Sequence, residues 1–146
     1  HINELQIDVM WPVEPDEKNS NLNNISIATL IHSSDFSLFS GGDIEPIAQS
    51  AISASLPRVD IYKVCHHGSA FQDPDFTRAL SPTIAMISVG AGNMYGHPAP
   101  ATVAALTRLG ARVVRTDLSG AIAITAHHQR FRIRTSRGGI SLINFG

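Results

Sequence analysis

The sequence predicts a layered α/β domain, and three observations carry that prediction. Short apolar strands alternate with helical runs through the middle of the chain, hairpin-like strands close it, and the residues capable of chemistry stand where apolar strands end. At 146 residues the chain fits one domain with a single core, residues 1–146. No internal repeat or linker divides it.

Leu5–Trp11 alternates apolar and polar residues before turning wholly apolar, which suits a strand. Val13–Asn24 is polar, with Pro15 and a cluster of asparagines, and reads as a loop. Ile25–Ile31 and Phe36–Phe39 read as strands joined by the turn His32-Ser33-Ser34-Asp35. Gly41-Gly42-Asp43 breaks the pattern. Ile44, Ile47, Ala48, Ala51 and Ile52 then recur at helical spacing, with Pro46 tolerable in a first turn. Val59–Val64 is a short strand ending at Cys65-His66-His67-Gly68-Ser69. Asp73-Pro74 is a cap and first position for a helix that turns Phe76, Ala79 and Leu80 inward and closes at Pro82. Ile84–Val89 is a buried strand, and the turn-rich Gly90–Pro98 follows it. Pro100 opens a helix through Leu109, with Val103 and Leu106 inward and Gly110 at its end. Arg112–Arg115, Gly120–Thr125 and Arg130–Arg134 are the last strands expected. In the third, Phe131 and Ile133 alternate with arginines, giving one buried and one wet face.

Hydrophobic residues make up 43% of the chain and charged residues 16%, against roughly 25% charged in an ordinary domain. The surface is therefore thinly charged, and an exposed apolar sheet edge or face is expected, normally covered by a partner. No apolar run approaches the ~20 residues of a membrane span, and no basic-then-apolar signal segment opens the chain. Any membrane link is expected from sequence outside it. The single cysteine, Cys65, excludes an intramolecular disulfide. Charge is divided along the chain: residues 1–100 hold four Lys/Arg and eleven Asp/Glu, residues 101–146 seven Arg and one acid, Asp117. Such an end is either a solvated strand face or a contact for polyanions.

Asp43, His66-His67 and His97 each follow an apolar strand, where loops of an α/β layer converge on a site. Asp43 alone reads first as a cap for the helix after it; as a metal ligand, its carboxylate is able to bridge two cations. Of the adjacent imidazoles, alternation on a strand end allows one to ligate while the other binds substrate or orients the loop. His127-His128 lies in a hairpin turn without polar company and reads as surface.

The succession Asn24-Ile25-Ser26, Gly42-Asp43, Lys63-Val64-Cys65-His66-His67-Gly68-Ser69, Ser88-Val89-Gly90, Asn93-Met94-Tyr95-Gly96-His97-Pro98, Arg115-Thr116-Asp117 and Gly120-Ala121-Ile122 resembles the C-terminal metallo-β-lactamase-like domain of ComEC-type competence proteins. The likeness runs from about Leu5 to Thr135. It implies a partial metallo-β-lactamase fold, half of an αββα sandwich. It also implies a metal-dependent phosphodiesterase or nuclease acting on incoming DNA at the outer face of the inner membrane. The implied roles are Asp43 and His66 as metal ligands, His97 and His67 as catalytic groups, and Ser69, Asn93, Thr116 and Asp117 on the substrate side. Two divalent ions, zinc or manganese, are implied for the complete domain. DNA and the rest of the channel protein are the implied partners.

The family's His-x-His-x-Asp-His loop is absent from this sequence, and neither His1 nor His32 has the neighbours to replace it. The chain is accordingly expected to be a half-domain that binds metal weakly, lacks activity by itself and self-associates through its uncovered face. A non-catalytic DNA-binding or assembly module of the same channel, and a small-molecule metallo-hydrolase, are the alternatives.

Overall fold

The computed structural model describes residues 5–13, 21–128 and 130–143. His1 and most of the loop expected over Val13–Asn24 lie outside the described residues. In chain order the elements are β1 (Gln6–Trp11), β2 (Ala28–His32), β3 (Ser37–Ser40), α1 (Pro46–Ser53), β4 (Ile61–Lys63), α2 (Pro74–Leu80), β5 (Ile84–Ile87), α3 (Pro100–Arg108), β6 (Arg112–Arg115), α4 (Thr116–Ser119), β7 (Ile122–His127), β8 (Arg130–Thr135) and β9 (Gly139–Ile143). Two 3-10 turns, Leu22–Ile25 and Cys65–Gly68, stand before β2 and after β4.

Among the described residues, β1 to β6 form one sheet in sequence order, and β7 to β9 form a second. β1, β2 and β3 pair antiparallel, whereas β3, β4, β5 and β6 run parallel. Parallel strands need crossovers, which α1, α2 and α3 supply, and they need cover on both faces. One face, carrying Phe39, Tyr62 and Ala85, packs on Ala48 and Ile52 of α1, Phe76 and Leu80 of α2, and Leu106 of α3. The other, carrying Leu38, Ile61 and Ile84, packs on Phe131 and Ile133 of β8 and on Ile122 and Ile124 of β7. The result is three layers: helices, six-stranded sheet, three-stranded sheet. Because β3 to β6 are parallel, the segments after all four emerge at the same end.

Among the elements, the structure departs from expectation at several places. The strand expected from Ile25 begins at Ala28, because the Asn21 side chain accepts the Asn23 N–H and caps a 3-10 turn there. In α1, Ile47 and Ala51 are exposed and Gln49 is buried instead. Gln49 stays polar inside because its amide donates to the Ile44 carbonyl (2.7 Å) and accepts from the Asp73 N–H (2.6 Å). The short β9 and α4 were not expected at all. Neither carries a long enough periodic run to announce itself, and each is held by its neighbour, β9 by β8 and α4 by β6.

β1 is an edge strand with a bare apolar face. Leu5, Ile7 and Val9 are 52%, 57% and 64% exposed. Ile7 begins a row continued by Ile31, Leu38, Ile61 and Ile84, of which the second sheet covers only the later members. A cleft of about 480 Å³ opens there between the sheets, lined by Leu5, Phe36, Leu38, Met86 and Ile124 among others. Among the described residues, no helix is long and apolar enough to cross a membrane.

Candidate active site

The segment after β3 is built against the Asn21–Ser26 turn. Gly42 has φ +57°, and a Cβ there would lie 2.8 Å from Ser26 Cβ, so the turn needs glycine for both conformation and space. The Asp43 N–H donates to Ser26 Oγ (3.1 Å), and the Glu45 N–H donates to Asn24 Oδ1 (2.7 Å). The Trp11 indole N–H in turn donates to the Asn24 carbonyl at 2.7 Å. Asn24 and Ser26 are thus braces for the loop that presents Asp43. The capping role that Asp43 suggests by itself is not found. Pro46 occupies the first turn of α1, and Glu45 takes the N-cap position without a side-chain cap bond. The Asp43 carboxylate is left half-exposed and facing His67, with Oδ1 3.6 Å from His67 Nε2.

His66 and His67 do not sit on a strand end. They occupy the left-handed region, with φ +46° and +53°, inside the turn after β4. Each such non-glycine residue costs about 1 kcal/mol or more. The turn is held by His66 N–H to the Gly42 carbonyl (3.0 Å) and Ser69 N–H to the His66 carbonyl (2.8 Å). At Gly68, with φ +77°, a Cβ would meet Pro98 Cβ at 2.8 Å, so the loops after β4 and β5 touch directly.

Both imidazoles have Nδ1 turned to an oxygen. His67 Nδ1 is 2.7 Å from the Ser88 carbonyl. His66 Nδ1 is 3.2 Å from Glu45 Oε1, an ion-pair separation that lacks the alignment of a hydrogen bond, so the atom is buried without a full partner. The Ser88 carbonyl thereby anchors Nδ1–H of His67 and leaves its Nε2 as the electron-pair donor, the arrangement seen in metal-ligating histidines.

Glu45 was not anticipated from the sequence, and it is the most heavily supported side chain of the site. Its carboxylate accepts from the Asn21 amide (2.5 Å) and the Asn23 amide (2.8 Å) as well as facing His66. Burial works to raise this carboxyl, yet the two amides and His66 together carry it below the ordinary carboxylate range. The only hint in the sequence was the run of asparagines upstream.

His97 comes from the loop after β5, its ring centre 5.4 Å from that of His66. Burial, then the neighbouring His66 and His67, hold it below the usual imidazole value, with Asp43 opposing. Asn93 fixes this loop: its amide donates to the His97 carbonyl (2.6 Å), and its oxygen accepts from the His97 N–H (3.1 Å).

The other residues expected on the substrate side are placed as supports. Ser69 is fully buried, its hydroxyl accepting from the Phe71 N–H and its carbonyl from Thr102. The Thr116 hydroxyl brackets Val89, accepting from its N–H (2.8 Å) and donating to its carbonyl (2.7 Å). Asp117 pairs with Arg115 at 2.5 and 3.1 Å, which holds its carboxyl below the usual range while burial opposes. Cys65, directly before the histidines, is fully buried, and burial pushes its thiol up to about 12. A Cβ at Gly41 would fall 2.5 Å from its sulfur, so the loops after β3 and β4 are in contact here too.

Asp43, His66, His67 and His97 thus converge from three strand ends. Among the described residues, no three His, Cys, Asp or Glu side chains close round one point as a complete ion-binding group. The donors present, a carboxylate and imidazoles of which His67 has its Nδ1 anchored, fit part of a divalent-metal coordination set.

No family model matches the chain. It is 34% identical over 124 residues, 83% of its length, to ComE operon protein 3 of Bacillus subtilis. The chain belongs to the ComEC-type competence family. Recombination protein 2 of Haemophilus influenzae is 26% identical over 116 residues, 79% of the chain. Competence protein ComA of Neisseria gonorrhoeae is 41% identical over 58 residues, 39% of the chain. The chain spans only 16%, 15% and 8% of these three competence-family relatives.

Proposed function

We propose that this chain is part of a metallo-β-lactamase-fold hydrolase domain that cleaves phosphodiester bonds of incoming DNA during natural transformation. Membership of the competence family supports the DNA-uptake role. The observation that carries the chemistry is the meeting of Asp43, His66, His67 and His97 at the ends of parallel strands. The longer protein would carry the domain at the inner membrane, facing outward, as part of a DNA channel.

In this reading Asp43 and His66 are metal ligands, part of a set that the described residues do not complete. Divalent ions, zinc or manganese, supply Lewis acidity when bound. The chain's own residues position and neutralise. Asp43 places a negative charge beside His67, Glu45 backs His66, and Ser88 fixes the tautomer of His67. His97, its ring centre 5.4 Å from that of His66, is placed to hold a phosphate oxygen through a ring N–H or, as imidazolium, to give a proton to the leaving oxygen.

Cleavage of single-stranded DNA by the longer protein, with zinc or manganese added, tests the proposal. Activity should appear with at least one metal and vanish in Asp43→Asn. Absence of cleavage with both metals sinks it. Calorimetric zinc titration of His66→Ala and His67→Ala separates the two histidines, since only loss of a ligand should abolish binding rather than weaken it.

A further inference from the structure

We infer that the outer face of the three-stranded sheet is a track for the phosphate backbone of single-stranded DNA, with Arg130, Arg132 and Arg134 as its rungs. The partner class rests on the DNA-uptake reading above; the track itself rests on the following geometry. β8 turns Phe131 and Ile133 into the core and leaves the three arginines exposed in one file. Same-face residues of a strand repeat every ~6.6 Å, the order of the phosphate repeat in an extended single strand.

Of the six other arginines, four are engaged: Arg78 with Asp75, Arg112 with Ser141, Arg115 with Asp117, and Arg137 with the Asp117 carbonyl; Arg58 and Arg108 stand singly in separate parts of the surface and form no file. Among the described residues, Arg130, Arg132 and Arg134 have no hydrogen-bond or ion-pair partner. No acid can reach them from their own segment, because the sequence after Asp117 contains no Asp or Glu. Like charges repeated at this spacing repel one another in water. The file therefore gains nothing from being bare and is relieved by a polyanion.

The neighbours fit an unpaired strand. Ala123, Thr125 and His127 of β7 stand opposite Arg134, Arg132 and Arg130, and the first two are small enough to admit a phosphate. On the other side, Ile140 and Leu142 of β9 pair with Arg134 and Arg132 and are each 62% exposed. These offer apolar contact to sugars and unstacked bases, which a duplex keeps inside.

The file also points at the site. Its Arg130 end lies by the hairpin tip, where the His128 N–H donates to Asp35 (2.8 Å) at the far end of the sheet. Its Arg134 end pairs with Ala123, beside the turn that packs on α4 through the bonds Ser136 N–H to Ala121 O and Arg137 N–H to Ser119 O. α4 directly follows β6, so this end is level with Asp43 and the histidines.

The test is fluorescence anisotropy of a labelled oligothymidylate with the full chain in EDTA, so that binding is read without cleavage and stands whether or not the nuclease proposal survives. In Arg130→Gln/Arg132→Gln/Arg134→Gln, affinity at low salt should fall at least about tenfold. The slope of log K against log salt should become shallower by about 2, three phosphates at ~0.7 each. Arg78→Gln/Arg108→Gln, on the helical side, should bind as the parent does. The inference is overturned if the parent chain does not bind the oligonucleotide or if the triple variant keeps parental affinity and slope. It is equally overturned if the triple substitution abolishes binding to phosphatidylglycerol vesicles but leaves oligonucleotide binding intact.

Discussion

Glu45 stands 3.2 Å from the buried Nδ1 of His66, and it does so from a position the sequence does not advertise. Asp43, His66, His67 and His97 were legible because each follows an apolar strand, whereas Glu45 looks like an ordinary helix-start acid. Its partners Asn21 and Asn23 are 24 and 22 residues upstream, a proximity only the folded chain creates. Glu45→Gln keeps the shape and removes the charge, so on the metal-site proposal zinc affinity of the longer protein should fall roughly 10–100-fold with little change in melting temperature. Calorimetry and thermal denaturation together check both halves of that statement. Asp117 makes a second case at this scale. Arg115 lowers its carboxyl in the folded state, so the pair adds stability above the ordinary aspartate value of 3.8 and loses it as pH falls through the lowered folded value. Asp117→Asn should cost about 1.5 kcal/mol at pH 7, and the gap from the parent chain should narrow in urea titrations as pH falls below 3.8 and through the lowered folded value.

Elements were legible where a pattern is local. α2 was readable from Asp73-Pro74 alone, and Asp73 does cap it, accepting from the Asp75 and Phe76 N–H groups. Asp73→Ala should cost about 1 kcal/mol, measured by denaturant unfolding. α1 shows the limit. Its spacing placed Ile47 inside, yet the buried position is held by Gln49, whose amide ties the start of α1 to the start of α2. Gln49→Leu fills the space but orphans the Asp73 N–H and the Ile44 carbonyl, and should cost more than the cap itself, about 2–3 kcal/mol. β9 and α4 escaped notice for a related reason: their partners, not their own residues, make them.

For the molecule as a whole, the alternation of strands and helices was enough to give the layered order, and low surface charge was enough to foresee a bare face. What composition does not say is where that face lies. The register of β1 against β2 puts it on Leu5, Ile7 and Val9. Ile7→Lys/Val9→Lys should reduce concentration-dependent self-association in sedimentation velocity while leaving the helix-covered core folded; unchanged association would move the sticky surface elsewhere. The buried thiol of Cys65 offers one more handle on the entire assembly. It is the chain's single sulfhydryl, and it sits wedged between the backbones that carry Asp43 and His66. Its reaction with a disulfide reagent must wait for those two loops to part, so labelling kinetics become a clock for the opening of the site, one that runs slower whenever something bridges Asp43 to the histidines.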